Sequence, residues 1–189
     1  GFSNISYECD GERQAFDISP VNYVRNHDCR QRGLEFDRDG LIARSGTVDA
    51  ELLASLDALP FYSQTGAKSL GREWVEKEIF PMIDSRGLEF ADLLSTFTEH
   101  AARQVARVVR RVGKPHPTML ITGGGALNIY LVERIRELAG CEVKIPPRQI
   151  IEFKEALIFA FLGALYMAGE ASCLSSVTGA ACDNIGGML

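Results

Sequence analysis

The stretch from Thr118 to Ile145 constrains the fold more than any other. Thr118 to Thr122 reads as a short strand with Met-Leu-Ile at its centre, and it runs directly into Gly123-Gly124-Gly125. Leu127 to Ala139 then reads as a helix closed by Gly140, and Val143 to Ile145 as a second strand before Pro146-Pro147 breaks the chain. Strand, helix and strand in that order imply a parallel pair joined by a crossover. The beginning of the chain adds an antiparallel element. Ser3 to Glu8 and Arg13 to Ile18 read as strands, and Asp10-Gly11 between them is a hairpin turn signal. The predicted fold is therefore α/β, a mixed central sheet covered by helices.

Helical patterns fill the rest. Ser19 followed by Pro20 predicts a cap and a first helical residue, with a helix to about Arg32 that buries Val21, Val24 and Cys29 and stops at Gly33. Residues 34–47 read as a polar loop, Thr47 as the cap of a short helix over 49–56, and Ser69 to Glu78 as another short helix around Trp74. Loops are expected at 60–68 and 81–87. Leu93, Phe97, Ala101, Val105 and Val108 repeat at spacings of three and four, which predicts one long amphipathic helix over 88–112. Ile151 to Gly169 reads as a buried helix, and the tail from Glu170 as mostly irregular.

Composition narrows the function classes. The 189 residues are 46% hydrophobic and 24% charged, ordinary for one globular domain with a sizeable core. A net charge of -5 argues against nucleic acid as a partner. The densest basic run (Arg103, Arg107, Arg110, Arg111, Lys114) has helical spacing and reads as a solvated face. Five cysteines without a C-x-x-C pair argue against a disulfide framework or a zinc site, and fit reduced thiols in the cytoplasm. His27, His100 and His116 show no ligand spacing and read as surface or cap residues, so no metal ligands are assigned. The longest apolar run, Ala156 to Ala168, falls short of the roughly 20 residues of a membrane span. The chain opens on strand-like sequence without a methionine, as a domain of a longer protein would.

Four segments can carry chemistry. Three glycines between a strand and a helix let a ligand approach the backbone and meet unpaired N–H groups, which suits a nucleotide; a ligand-free tight turn is the alternative. No Gly-Lys-Ser/Thr follows, so this is not a P-loop. Asp17 sits where a strand gives way to a helix and could serve as a general base or hold a metal, or could close a local Asx turn. Asn22, just beyond, could orient a ligand or face solvent. Lys68-Ser69-Leu70-Gly71-Arg72 could touch phosphate or sugar, or could simply start a helix. Glu155, in Phe153-Lys154-Glu155-Ala156, suits either a cleft or the positive end of a helix.

Six segments in order carry a family likeness: Phe-Asp-x-x-Pro-x-Asn from Phe16, Lys-Ser-x-Gly-Arg-Glu from Lys68, Thr-Phe-Thr-Glu-His from Thr96, Thr-Gly-Gly-Gly-Ala-x-Asn from Thr122, Glu-Ala-x-x-Phe-Ala from Glu155 and Ser-Val-Thr-Gly-Ala from Ser176. Together they resemble the anhydro-N-acetylmuramic acid kinases over nearly the whole chain. The resemblance implies an RNase H-like domain of the actin-like ATPase superfold. It implies ATP and Mg2+, hydrolysis of the 1,6-anhydro bond of anhydro-N-acetylmuramic acid, and phosphorylation of the freed O6 to N-acetylmuramate 6-phosphate in cell-wall recycling. Asp17 would be the base that activates water. Gly123, Gly124, Gly125 and Asn128 would lie at the nucleotide, and Asn22 and Glu155 at the sugar. The resemblance also implies a homodimer for the full-length protein, with no membrane partner.

The chain departs from the family twice. Asp17-Ile18-Ser19-Pro20-Val21-Asn22 stands where the family has Asp-Thr-Gly-Pro-Gly-Asn, which leaves less room for phosphate at that backbone. The N-terminal domain with its Gly-Thr-Ser-x-Asp-Gly phosphate loop has no counterpart, so residues 1–189 correspond to a single C-terminal domain. The competing reading is a non-enzymatic nucleotide-binding or scaffolding module of the same superfold. An unrelated hydrolase lacks support, since no G-x-S-x-G elbow occurs. A kinase cleft needs both walls to position ATP and exclude water. The purified chain should therefore show no turnover of anhydro sugar in a phosphorylation assay, and robust turnover free of host enzyme would overturn this.

Overall fold

Asp10 and Gly11 turn the chain back on itself. In a computed structural model, which describes residues 1–113 and 115–187, both take positive φ (52° and 82°), as a two-residue hairpin requires. They join β1 (Phe2–Cys9) to β2 (Glu12–Pro20) in an antiparallel ladder that pairs Ile5 with Phe16 and Phe2 with Pro20. The ladder runs further than the sequence suggests. Ser19 and Pro20, expected to cap and begin a helix, belong to the strand, and α1 (Asn22–Gln31) follows Val21 without a side-chain cap. The Ser3 hydroxyl donates to the Ser19 carbonyl at 3.0 Å, and pairing of this kind prevails over the local capping signal.

Residues 34–47 are also more ordered than a loop. They contain a 3-10 turn (Arg38–Gly40) and α2 (Leu41–Ser45). Asp37 is the cause. Its carboxylate accepts from the N–H groups of Ile42 (2.9 Å) and Ala43 (3.1 Å) and pairs with Arg25 of α1 at 3.4 Å, with both side chains buried. Next, α3 (Ala50–Asp57) is capped by Asp49, which accepts from Leu52 N–H at 2.7 Å, and not by Thr47. The Thr47 N–H is taken instead by Asp92. The stretch at 60–68 opens with a 3-10 turn, Pro60–Ser63. The helix around Trp74 starts at Arg72 as α4 (Arg72–Trp74), continues as a π-helical turn (Val75–Ile79) and runs into α5 (Phe80–Asp84), taking in part of the expected connector.

The predicted long helix is α6 (Phe90–Val112), and all five residues of its apolar repeat are buried. Of the basic run, Arg103, Arg110 and Arg111 are exposed and Arg107 is half-buried, while Lys114 lies outside the described residues. The crossover unit follows: β3 (Thr118–Leu120), a 3-10 turn (Gly124–Leu127), α7 (Ile129–Ala139) and β4 (Glu142–Lys144), with β3 parallel to β4. The architecture is α/β. Among the described residues the strands form two separate two-stranded ladders. Both ladders back onto one core, in which Ile5, Phe16, Ile18, Met119 and Val143 meet Ala101, Val105 and Val108 of α6 and Leu131 and Ile135 of α7. A second cluster gathers Val24, Leu52, Leu56, Val75, Ile79, Leu93 and Phe97.

Two expectations about burial fail. The helix expected to be buried near the C-terminus, α8 (Arg148–Ala168), is buried only at Ile151; Phe153, Phe159 and Met167 are 66%, 70% and 77% exposed. Beyond Glu155 this helix is apolar on every side, as an enclosed helix is, but among the described residues α8 packs chiefly on the Gly124–Leu127 turn. His100 is neither a surface nor a cap residue. It lies in the core with no exposure, and burial lowers its pKa although the Asp57 carboxylate bonds its Nδ1 at 2.6 Å. The tail is less irregular than expected. It holds α9 (Ser175–Thr178), whose first N–H and hydroxyl are taken by Asp183, and an antiparallel bridge between Cys173 and Asn184. Among the described residues no helix is long and apolar enough to cross a membrane.

Asp28 of α1 gives a pH-dependent prediction. It is buried, one carboxylate oxygen has no partner among the described residues, and burial raises its pKa to about 6 despite the nearby charges of His27 and Arg32. A carboxyl that holds its proton more tightly when folded loses stability as pH rises through the folded value. Asp28→Asn should therefore melt at higher temperature than the parent above about pH 6, and the advantage should vanish below about pH 4. Melting curves across that range check it.

Candidate active site

Asp17 lies near the end of β2, and its partners come from far along the chain. Its N–H donates to the Lys68 carbonyl at 3.0 Å. Its Oδ2 accepts from the Leu70 N–H at 2.8 Å and from the Ser69 hydroxyl at 3.4 Å. The local Asx turn left open by the sequence is not what forms. Oδ1 has no hydrogen-bond partner among the described residues, and the side chain is partly exposed. The carboxylate is thus fixed through one oxygen and available through the other. The clasping loop is itself pinned: the Lys68 ammonium donates to the Phe61 carbonyl at 3.0 Å and sits 4.3 Å from the Phe61 ring centroid. Burial, and then the charges of Arg111 and Arg107, lower the Lys68 pKa. The Ser-Val-Thr-Gly-Ala segment also comes to β2, through α9.

The triglycine turn is shaped by Gly123, at φ 77° and ψ 179°, a conformation that side chains resist. The Ala126 N–H closes the turn on the Gly123 carbonyl at 2.9 Å. The N–H groups of Gly124 and Gly125 donate to no described residue, and the buried Thr122 hydroxyl has no described partner. Adjacent unpaired N–H groups in such a turn form a concavity suited to an anion or a polar ligand edge. A Cβ placed on Gly124 would lie 3.2 Å from Nδ2 of Asn22, and one on Gly123 would lie 3.7 Å from Nζ of Lys154.

The site residues expected from the sequence therefore divide. Asp17 and the three glycines keep accessible polar atoms. Asn22, expected at the sugar, lies with its amide against the triglycine turn. Asn128 is buried, and its Oδ1 accepts from the Leu131 N–H at 2.8 Å as the cap of α7. Gly40 approaches so closely that a Cβ there would lie 2.5 Å from the same oxygen. Glu155 is exposed, and no described contact joins it to Asp17, Asn22 or the glycines. Two participants were overlooked in the sequence. One is the Leu70 N–H, a backbone group with no signature of its own. The other is Lys154, next to Glu155 in a motif already singled out. Among the described residues no three His, Cys, Asp or Glu side chains gather as a metal site.

The anhydro-N-acetylmuramic acid kinase family model matches residues 1–189. The chain belongs to this family. Anhydro-N-acetylmuramic acid kinase of Variovorax paradoxus is 37% identical across 95% of this chain and 51% of its own length. The protein of the same name from Xanthomonas axonopodis pv. citri is 38% identical across 91% of this chain and 47% of its own length. That from Vibrio cholerae is 31% identical across 95% and 50%. The chain thus spans about half the length of the curated relatives it matches. Membership brings with it the actin-like ATPase fold class that the ordered motifs implied.

Within this family member, the buried cap separates structural from ligand roles. Asn128→Ala should cost about 1 kcal/mol of stability, while Asn128→Asp keeps the cap and most of that stability. Chemical denaturation of the two variants checks this.

Proposed function

We propose that this chain is the C-terminal domain of an ATP-dependent cytoplasmic kinase that opens the 1,6-anhydro bond of anhydro-N-acetylmuramic acid and phosphorylates O6, yielding N-acetylmuramate 6-phosphate for cell-wall recycling. The observation that carries this reading is the state of Asp17, with one oxygen clasped by the Lys68–Leu70 loop and the other open. A general base needs a fixed direction and a free lone pair, and this carboxylate has both. Oδ1 takes a proton from water as that water attacks the anomeric carbon. The C1–O6 bond breaks, O6 attacks the γ-phosphorus of ATP, and the bond to the β-phosphate breaks with ADP as the leaving group. Family membership and the curated names support the substrate.

The unpaired N–H groups of Gly124 and Gly125, with the Asn22 amide beside them, form the nucleotide side of the site. Asn128 acts there through the helix it caps, and Glu155 is the sugar contact, completed by other parts of the full-length protein. Mg2+ suits the phosphates better than this chain, because no carboxylate cage is present among the described residues; when bound it neutralises charge on the transferring phosphoryl group. The remaining domain of the full-length protein supplies the second wall of the cleft, and α8 is the surface it would cover. The active form is a homodimer.

In a full-length protein carrying this half, Asp17→Asn should lower turnover by at least about a hundredfold, with ATP affinity nearly unchanged. Retained turnover would remove Asp17 from the mechanism. Nucleotide binding without any phosphorylation of the anhydro sugar by the unmutated protein would favour a nucleotide-binding module instead.

A further inference from the structure

We infer that Lys154 is a phosphate-contacting residue that makes the triglycine site selective for phosphorylated nucleotides over the bare nucleoside. The inference rests on the reading of Gly123–Gly125 as the nucleotide loop. A lysine on an amphipathic helix ordinarily points to solvent or pairs with a carboxylate three or four positions away. Lys154 does neither. It is half-buried on a helix whose neighbouring residues are mostly exposed, and its ammonium lies at Gly123, where a Cβ would be only 3.7 Å from Nζ. No acidic side chain among the described residues pairs with it. Among the described residues the one ion pair on α8 joins Arg148 to Glu152.

The surroundings say what such a charge is for. Two backbone N–H groups, at Gly124 and Gly125, have no described acceptor, and the Asn22 amide approaches Gly124 from α1. All of these groups can donate, and among the described residues no carboxylate bonds to any of them. Donors from a glycine turn, a distant amide and an unpaired ammonium together are complementary to an anion. The adenosine moiety offers no negative charge, whereas the phosphates of ADP and ATP do. Lysine meets phosphate as a point charge without demanding planar geometry.

Calorimetric titration of the chain with adenosine, ADP and ATP, repeated on Lys154→Ala and Lys154→Arg, tests this. A lost charge-assisted hydrogen bond corresponds to an affinity loss of about tenfold or more. Lys154→Ala should lose that factor for ADP and ATP and none for adenosine, and Lys154→Arg should recover most of it. Equal loss for adenosine would make Lys154 a structural residue and overturn the inference. So would unchanged ATP affinity, in which case the nucleotide reading itself survives. A parent chain that binds neither adenosine nor ATP overturns the nucleotide reading of the loop, and Lys154 falls with it.

Discussion

Helix α6 is buried along most of its length, and several of the polar groups it carries inside bond to distant parts of the chain. Three of them fasten three other parts of the chain. The Thr96 hydroxyl donates to the Asp92 carbonyl and accepts from the Asp49 N–H, which fixes the start of α3. His100 reaches Asp57 at the other end of α3. Glu99 accepts from Arg103 on its own helix and from Arg134 on α7, at 2.9 and 2.8 Å. Burial alone would raise the Glu99 pKa, yet the two guanidinium groups bring it below the usual carboxylate value. Removing one partner from such an arrangement leaves an uncompensated buried charge, which is strongly destabilising. The Thr-Phe-Thr-Glu-His segment thus contributes to the site indirectly: it sets the position of α7 and of the turn that precedes it.

The candidate site hangs from this frame at two points. Ile18 and Val21, on either side of the β2 terminus, enter the core formed with α6 and α7. That core also receives Ile121, two residues before the triglycine turn. Asp17 and Gly123 are therefore held by neighbours rooted in the same packed interior, and Asn22 bridges toward the turn. Rigid support of this kind is what acid–base chemistry requires, because small displacements of a base cost rate steeply.

What could be read in the sequence was local or periodic. The Asp10-Gly11 turn, the repeat of α6 and the strand–helix–strand order all express rules that act within a few residues. What could not be read was decided across distance. Asp37 orders residues 34–47 only because Arg25 is buried beside it. Ser19 and Pro20 stay in the strand because Phe2 and Ser3 pair with them. The composition of α8 shows that the helix is made to be enclosed, but not by what. At the site, the ordered motifs pointed to Asp17 and the glycines. The clasp by Leu70 left no trace in side-chain identity, and Lys154 drew less notice than the glutamate next to it.

The bond from the Leu70 N–H to Asp17 couples a backbone amide to a carboxylate 53 positions away in the chain. A hydrogen bond to an ionised acceptor is shorter and stronger than one to a neutral acid. The resonance of that single amide, and the rate at which its proton exchanges with solvent, therefore respond to whatever contacts the Asp17 carboxylate. The fold carries its own spectroscopic reporter of that carboxylate, on a residue whose side chain takes no part in the contact.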